Sequence, residues 1–356
     1  MFLQNLPKRI LFPCLVLICL LVTFISGCGG NSGGHDRGNP PSPFSIAESL
    51  VPATGSTVFP IYSDDSAVCN TVTHPYYMAK YDVTYQLWSE VYTWATDSVR
   101  GTAKYNFANQ GSRGGGTDGT QWVVFNSGHE SDPVTKINWR DAIIWCNALT
   151  EYYNARNQSN LVCVYRDNGG QVIRDATQTS VCDGLTDFDH TADGFRLPTS
   201  MEWELAARYK GNDSSNGAIS MGGLYWTPGN YASGATAKVG DGPPSPTTWI
   251  PNPDMSPTQA VAWYWDNCNV PDPNIHSTQP VGRKNPNALG IYDMSGNVSQ
   301  WCFDQITNQR KNRGGNWSMG APDETFMVCA LWVGLDGSSL PDSTWPNIGF
   351  RTVRSQ

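Results

Sequence analysis

The last stretch of this chain, an ordered frame around an aperiodic interior, limits its fold more than any other. The frame is Arg313-Gly314-Gly315-Asn316-Trp317 at one end and Ile348-Gly349-Phe350-Arg351 at the other. Residues 318–347 between them follow neither a helical nor a strand period. They nevertheless carry Met319, Phe326, Leu331, Trp332, Leu335, Leu340 and Trp345. Solvated loops lean on small polar residues, so a long loop this apolar is either a binding surface or a buried plug.

The start of the chain reads as a targeting segment. Lys8 and Arg9 form a positive end, Ile10 to Ile25 an apolar stretch, and Ile25-Ser26-Gly27-Cys28 resembles the site at which bacterial lipoprotein precursors are cut before a lipidated cysteine. Residues 1–27 are therefore expected to be a signal peptide, with Cys28 carrying the anchor. Residues 28–44 then form a flexible Gly/Pro/Ser tether. Acyl chains on Cys28 would hold the protein on the outer membrane or cell surface. The 23 basic and 31 acidic residues give a net charge of −8, which argues against nucleic acid as a partner. With only 15% charged residues, 35 glycines and 24 prolines, the remainder (45–356) should be one loop-rich domain and a monomer.

Of ten cysteines, seven would remain in the mature chain beside Cys28: Cys69, Cys146, Cys163, Cys182, Cys268, Cys302 and Cys329. An odd number leaves at least one thiol free. Cys163 and Cys182 bracket a segment that reads as a hairpin turning at Asn168-Gly169-Gly170, and a disulfide between them is expected. The five histidines are scattered, which does not suit a zinc or non-haem iron site.

Three helices are legible. Thr84 caps one running to about Ala95, with Leu87, Val91 and Trp94 as its apolar stripe. Asn138 caps a second to about Asn154, burying Ala142, Ile143, Cys146 and Leu149. Thr199-Ser200-Met201-Glu202 is a capping box for a third, with Trp203, Ala206 and Ala207 inward. Short strands and loops make up the rest, and residues 99–130 and 211–260 read as surface excursions.

Four blocks in order carry a family resemblance. They are Lys80-Tyr81-Asp82-Val83-Thr84; Phe195-Arg196-Leu197-Pro198-Thr199 running into Arg208; Pro280-Val281-Gly282 with Asn287-Ala288-Leu289-Gly290 through Asp293-Met294-Ser295-Gly296-Asn297 to Trp301; and the C-terminal frame. Together they resemble the formylglycine-generating enzyme (sulfatase-modifying factor) family over roughly residues 76–354. The resemblance implies a C-type-lectin-like fold, a mixed α+β domain of short strands and few helices. It also implies a structural calcium ion held by Asp293, Gly296, Val298 and Gln300, although the neutral amide of Gln300 stands where the enzymes have a carboxylate. No other cofactor is required.

The family's oxidase uses two cysteines, four and nine residues after the Gly-Gly pair, as a copper(I) site. Here those positions are Met319 and Glu324, and Cys329 is the only thiol in the segment. Family catalysis is not expected. A drifted interior within an intact frame resembles the variable proteins of diversity-generating retroelements, which display mutable residues on this fold. The reading is a non-catalytic surface lipoprotein that contacts a protein or glycan on another cell. Its contact residues would be Ser318, Met319, Leu331, Trp332, Val333, Leu335, Asp336, Ser338, Ser339, Leu340, Asp342, Ser343 and Trp345. Two alternatives stay open: a formylglycine-generating-type oxidase or other metal-dependent enzyme, and a structural lipoprotein whose C-terminal segment merely packs. Arg196 has two readings as well, a substrate-carboxylate ligand or an ion pair within the block.

Overall fold

Both ends of the domain meet in one sheet. In a computed structural model describing residues 44–237, 256–320 and 331–356, the strand Tyr76–Ala79 lies between Glu48–Val51 and Val353–Ser355, antiparallel to each. The signal peptide, Cys28 and Cys329 lie outside the described residues. The tether ends earlier than expected. Phe44 packs edge-on against Tyr152 with centroids 5.1 Å apart, and its carbonyl accepts from Asn157 Nδ2 at 2.8 Å, so it belongs to the fold.

The helices follow their sequence signals. Thr84 Oγ1 accepts from Leu87 N at 3.2 Å and opens Tyr85–Ala95. The stripe is corrected: Trp88, Val91 and Ala95 are buried, while Leu87 and Trp94 are only partly covered. Asn138 and Asp141 form a reciprocal capping box for Trp139–Asn157, which runs three residues past the expected end. This second helix is buried on almost every side through Thr150, because the first helix, the hairpin and the C-terminal frame cover it. At its centre Trp88 and Trp145 stack at 5.7 Å, with Phe350 edge-on to both. Thr199 and Glu202 cap the third helix, Ser200–Arg208.

A four-stranded sheet runs in the order Asp336–Ser339, Gln309–Arg313, Ser299–Ile306, Ile348–Gly349. The last pair is parallel and the others antiparallel. The two regions read as surface excursions are partly core. Tyr105 and Trp226 are wholly buried, and Gly116–Thr117 pairs with both Trp122–Val123 and His276–Ser277 in a small sheet.

The hairpin is present, but the disulfide expected across it is not. Ile173 N donates to Tyr165 O at 3.1 Å and Gly170 N to Asp167 O at 2.9 Å, which closes the turn through backbone pairing. Cys163 and Cys182 are separate thiols. Cys163 Sγ points at Asn147 O (3.5 Å) and Cys182 Sγ at Asp175 O (3.6 Å). Each is aimed at its own carbonyl in the interior, and burial pushes both thiols up to about 12.

Arg196 takes the structural role. Its guanidinium grips Glu202 with two bonds, 2.7 and 2.6 Å, while its backbone exchanges hydrogen bonds with Val353. Arg351 is wholly buried and holds more elements together. It donates to Ala79 O (3.0 Å), Asp82 Oδ1 (2.9 Å), Tyr292 O (2.8 Å) and Gln300 Oε1 (2.7 Å).

Two outcomes follow from this packing. Replacing Arg351 with methionine keeps the volume but strands the buried Asp82 carboxylate, and should cost about 3–5 kcal/mol by urea unfolding. A loss below about 1 kcal/mol would show that the guanidinium is not a central tie. Alkylation without reductant should leave Cys163 and Cys182 unmodified in the native protein and label both once it is unfolded. A recovered peptide that joins them would restore the bridge.

Candidate functional site

The C-terminal segment is clamped at both ends before it reaches solvent. Gly314 sits at φ 94°, and a Cβ there would lie 2.6 Å from Met294 O, so only glycine makes this turn. Arg313 fastens the turn by donating to Ser200 Oγ and Glu204 Oε2, both at 2.8 Å, and to Leu335 O at 3.1 Å. Trp317 is wholly buried; its backbone N donates to Asn297 O and its indole to Pro346 O. The indole therefore ties the beginning of the segment to its end. At that end Ser299 N donates to Asn347 O at 2.9 Å and Ile348–Gly349 joins the sheet.

Between the clamps lies a cleft of about 800 Å³. Ser299, Asn312, Gly337 and Ile348 come from four adjacent strands and form its floor. Trp122, Trp265, Leu335 and Trp345 also belong to its lining. Gly115 lets the chain beside Trp345 approach, because a Cβ there would meet Pro346 O at 2.1 Å. The indole of Trp265 is backed by the His276 ring, parallel at 3.6 Å, and its backbone N donates to Met319 O at 3.0 Å. Trp122 is 51% and Trp345 52% exposed.

Polar groups on the floor are already organised. Asn316 Oδ1 accepts from Ser318 N (3.0 Å) and Ser318 Oγ (2.8 Å), and Asn316 Nδ2 donates to Ser299 Oγ (2.9 Å). Asn347 Nδ2 reaches Ser318 Oγ at 3.1 Å. Cys268 lies behind the cleft with its thiol 3.4 Å from Trp317 O; burial pushes it up to about 12, so it stays protonated.

The expected contact residues divide. Ser318, Met319, Leu335, Asp336, Ser338, Ser339 and Trp345 line the cleft. Leu331 and Val333 do not, and this is a correction, since both are wholly buried. Leu331 packs with Ala232, Val261, Ala262 and Tyr264; Val333 packs in the core around Trp203, with its N donating to Tyr231 O at 2.9 Å. Trp332 is half-buried against the Leu331 cluster and is no display residue. Leu340 is exposed at 44%, Asp342 is exposed and Ser343 is part of a turn onto Leu340, but these three lie outside the cleft. The segment is thus part surface and part plug. Trp122 and Trp265 were missed. A large ring inside a Gly-, Ser- and Thr-rich stretch was the available signal for Trp122; nothing local marked Trp265.

The set expected to hold calcium does not assemble as one. Gln300 Oε1 accepts from Trp203 Nε1 (2.6 Å) and Arg351 Nε (2.7 Å), while its NH2 donates to Asp293 O (2.7 Å). Turning the amide over would set donors against donors, so its oxygen is not free for an ion. Asp293 Oδ2 accepts from Gly282 N at 2.7 Å, and Oδ1 is buried with no partner among the described residues. Nearby positive charge comes from Arg351 and Lys284. Asp293, Gly296, Val298 and Gln300 therefore do not fit a calcium ion here. Gly296 serves packing instead, with its N donating to Gly314 O at 2.8 Å. Burial raises the Asp293 carboxyl to about 6, with the Gly282 bond and Arg351 opposing it.

The chain belongs to the sulfatase-modifying factor enzyme 1-like domain family, whose model matches residues 40–356. It is 27% identical to "Chaperone protein LppX" of Paenibacillus barcinonensis over 358 residues, covering 95% of this chain and 99% of that one. Among solved structures it is similar to CarF, with a TM-score of 0.58 and 24% identity over 88% of this chain and 99% of that chain. Treponema denticola variable protein 1 gives a TM-score of 0.53 and 22% identity over 87% and 95%. At these identities the two structures establish the fold, which is the one the four blocks implied.

The raised Asp293 carboxyl has a signed consequence. Its folded value of about 6 stands above the ordinary 3.8, so the fold prefers the protonated form. The stability it contributes is present below pH 4 and lost as pH rises through about 6, on the order of 2–3 kcal/mol. Asp293→Asn should flatten this part of the stability profile relative to the unmodified protein. Calcium or a chelator should leave the melting temperature of either unmoved. An unchanged slope, or a calcium-dependent melt, would overturn the assignment.

Proposed function

We propose that this member of the sulfatase-modifying factor family is a non-catalytic, lipid-anchored binding protein. Its cleft, walled by Trp122, Trp265, Leu335 and Trp345, receives the ligand. The observation that carries this reading is the contrast between a clamped frame and a half-exposed aromatic lining. Rigid ends limit the entropy lost on binding, and large partly exposed rings are the residues that dominate binding energy. The positions of the family's copper-binding thiols support it too, because Met319 stands at the first and residue 324, outside the described residues, is a glutamate. One thioether is a poor substitute for two thiolates.

The Paenibacillus relative is named a chaperone protein, which suits binding better than oxidation. The lipid on Cys28 and its envelope location belong to this proposal. So does diversification of the segment, drawn from its resemblance to variable proteins. Among the described residues no helix is long and apolar enough to cross a membrane.

Three measurements test the reading. Cys28→Ser should move the protein from the membrane to the soluble fraction of its host. The purified protein, probed with a glycan array and a displayed peptide library, should enrich ligands in one of them. Trp122→Ala with Trp345→Ala should abolish that enrichment while changing stability by only about 1 kcal/mol, as exposed substitutions do. Stoichiometric copper together with oxidation of cysteine peptides would overturn the non-catalytic reading. Failure to enrich in either library would overturn the binding reading.

A further inference from the structure

We infer that the cleft takes a neutral oligosaccharide; the inference rests on the binding reading above and names its ligand class. Among the described residues lining the cleft, Asp336 carries the one formal charge, and its carboxylate is ion-paired with Lys311. Among these described residues a charged ligand would find no free counter-charge, and leaving an ion without one in a partly dehydrated cleft is costly. The ligand is therefore neutral.

The cleft pairs ring faces with neutral hydrogen-bonding groups. Trp122 and Trp345 are each half-exposed, and Trp265 is braced from behind by His276. Trp122 in turn stands edge-on to the buried Trp317, with centroids 6.1 Å apart. An indole face carries the negative lobe of its quadrupole and attracts polarised C–H groups. Pyranose rings present such C–H groups on one face and hydroxyls around the rim. Hydroxyls both donate and accept, and side-chain amides and hydroxyls are their neutral complements. Asn316, Asn347, Ser318 and Ser299 are held in such a network at the base of the cleft. Their positions are set before any ligand arrives.

A sugar and an extended peptide differ in what they need from a sheet. Peptides dock on sheets by adding a strand to an edge, where main-chain groups are unpaired. The floor here is the face of the sheet, built from strands already paired with one another. It presents side-chain amides and hydroxyls; Asp336–Ser339, the edge strand at its rim, pairs on one side with Gln309–Arg313, and its other side is where a peptide would have to add. The volume of about 800 Å³ falls within the range of small-ligand sites and suits a short oligomer.

The experiment uses the full mature chain and titrates maltotriose, cellotriose, chitotriose and mannotriose by calorimetry and tryptophan fluorescence, with sialyllactose as the charged comparator. At least one neutral trisaccharide should bind saturably and perturb the fluorescence. Trp122→Ala and Trp345→Ala should each weaken that binding tenfold or more at unchanged melting temperature. Val99→Ser, an exposed position outside the cleft lining, should leave it unchanged. Several outcomes overturn the inference: no binding of any neutral trisaccharide at millimolar concentration, tighter binding of sialyllactose, or binding indifferent to both tryptophans. If the trisaccharides fail while displayed peptides bind in a Trp122-dependent manner, the sugar inference falls and the binding reading stands. If both fail, both fall.

Discussion

The Arg351 guanidinium is the point at which the distant parts of this sequence become one structure. Its donors reach the carbonyl of Ala79, the carboxylate of Asp82, the carbonyl of Tyr292 and the amide of Gln300. Two of the other three sequence blocks are thereby fixed to the last, and Gln300 passes the connection to Trp203 in the remaining one. A buried guanidinium tolerates this position only because nearly every donor has a partner; with one missing, the desolvation it suffers would not be offset. The planar fork also fixes directions as well as distances, which a lysine ammonium would not. The register of the C-terminal strand, and with it the closing edge of the cleft, descends from this contact.

From that tie the site follows by short steps. Phe350, next to Arg351, enters the Trp88–Trp145 stack and holds the end of the segment against the second helix. Trp317 reaches across to Pro346 and fixes the other end. Of the described residues between them, Asp336–Ser339 pairs with Gln309–Arg313 as an edge strand of the four-stranded sheet. The segment's described side chains divide between the core, as with Val333, and the cleft, as with Leu335. What reaches the cleft is thus set by where the frame lets the segment surface.

This explains which parts of the molecule were legible in the sequence. Helix caps are local chemistry, and Thr84, Asn138 and Thr199 announced their helices because a side-chain oxygen three residues before a free N–H is all the motif requires. The frame was legible because glycine pairs and aromatic anchors at fixed spacing have few alternatives. The interior was not. Leu331, Trp332 and Val333 share one apolar run, yet two are core and one is half-covered. An aperiodic segment has no repeating phase from which to assign faces. Trp122 and Trp265 escaped for a different reason: each joins the cleft through tertiary neighbours far away in sequence, Trp317 for one and Met319 for the other. The disulfide across the hairpin failed similarly. Spacing placed two thiols at the ends of a turn, but packing rotated each towards its own buried carbonyl.

Gln300 shows how one neutral side chain changes what a conserved-looking loop does. A carboxylate at that position would accept from Trp203 and Arg351 but could donate nothing to Asp293 O. An amide does both, accepting with Oε1 and donating with Nε2. The positive charge that a metal would bring to this loop comes from Arg351 and Lys284, so the loop is held by the protein's own cations. The fit is imperfect, because Asp293 Oδ1 remains without a partner among the described residues and burial raises its carboxyl. That residual cost falls beside Gly296 and Gly314, whose backbones pair where the C-terminal frame begins. The loop and the C-terminal segment therefore share a boundary, the backbone bond from Gly296 N to Gly314 O.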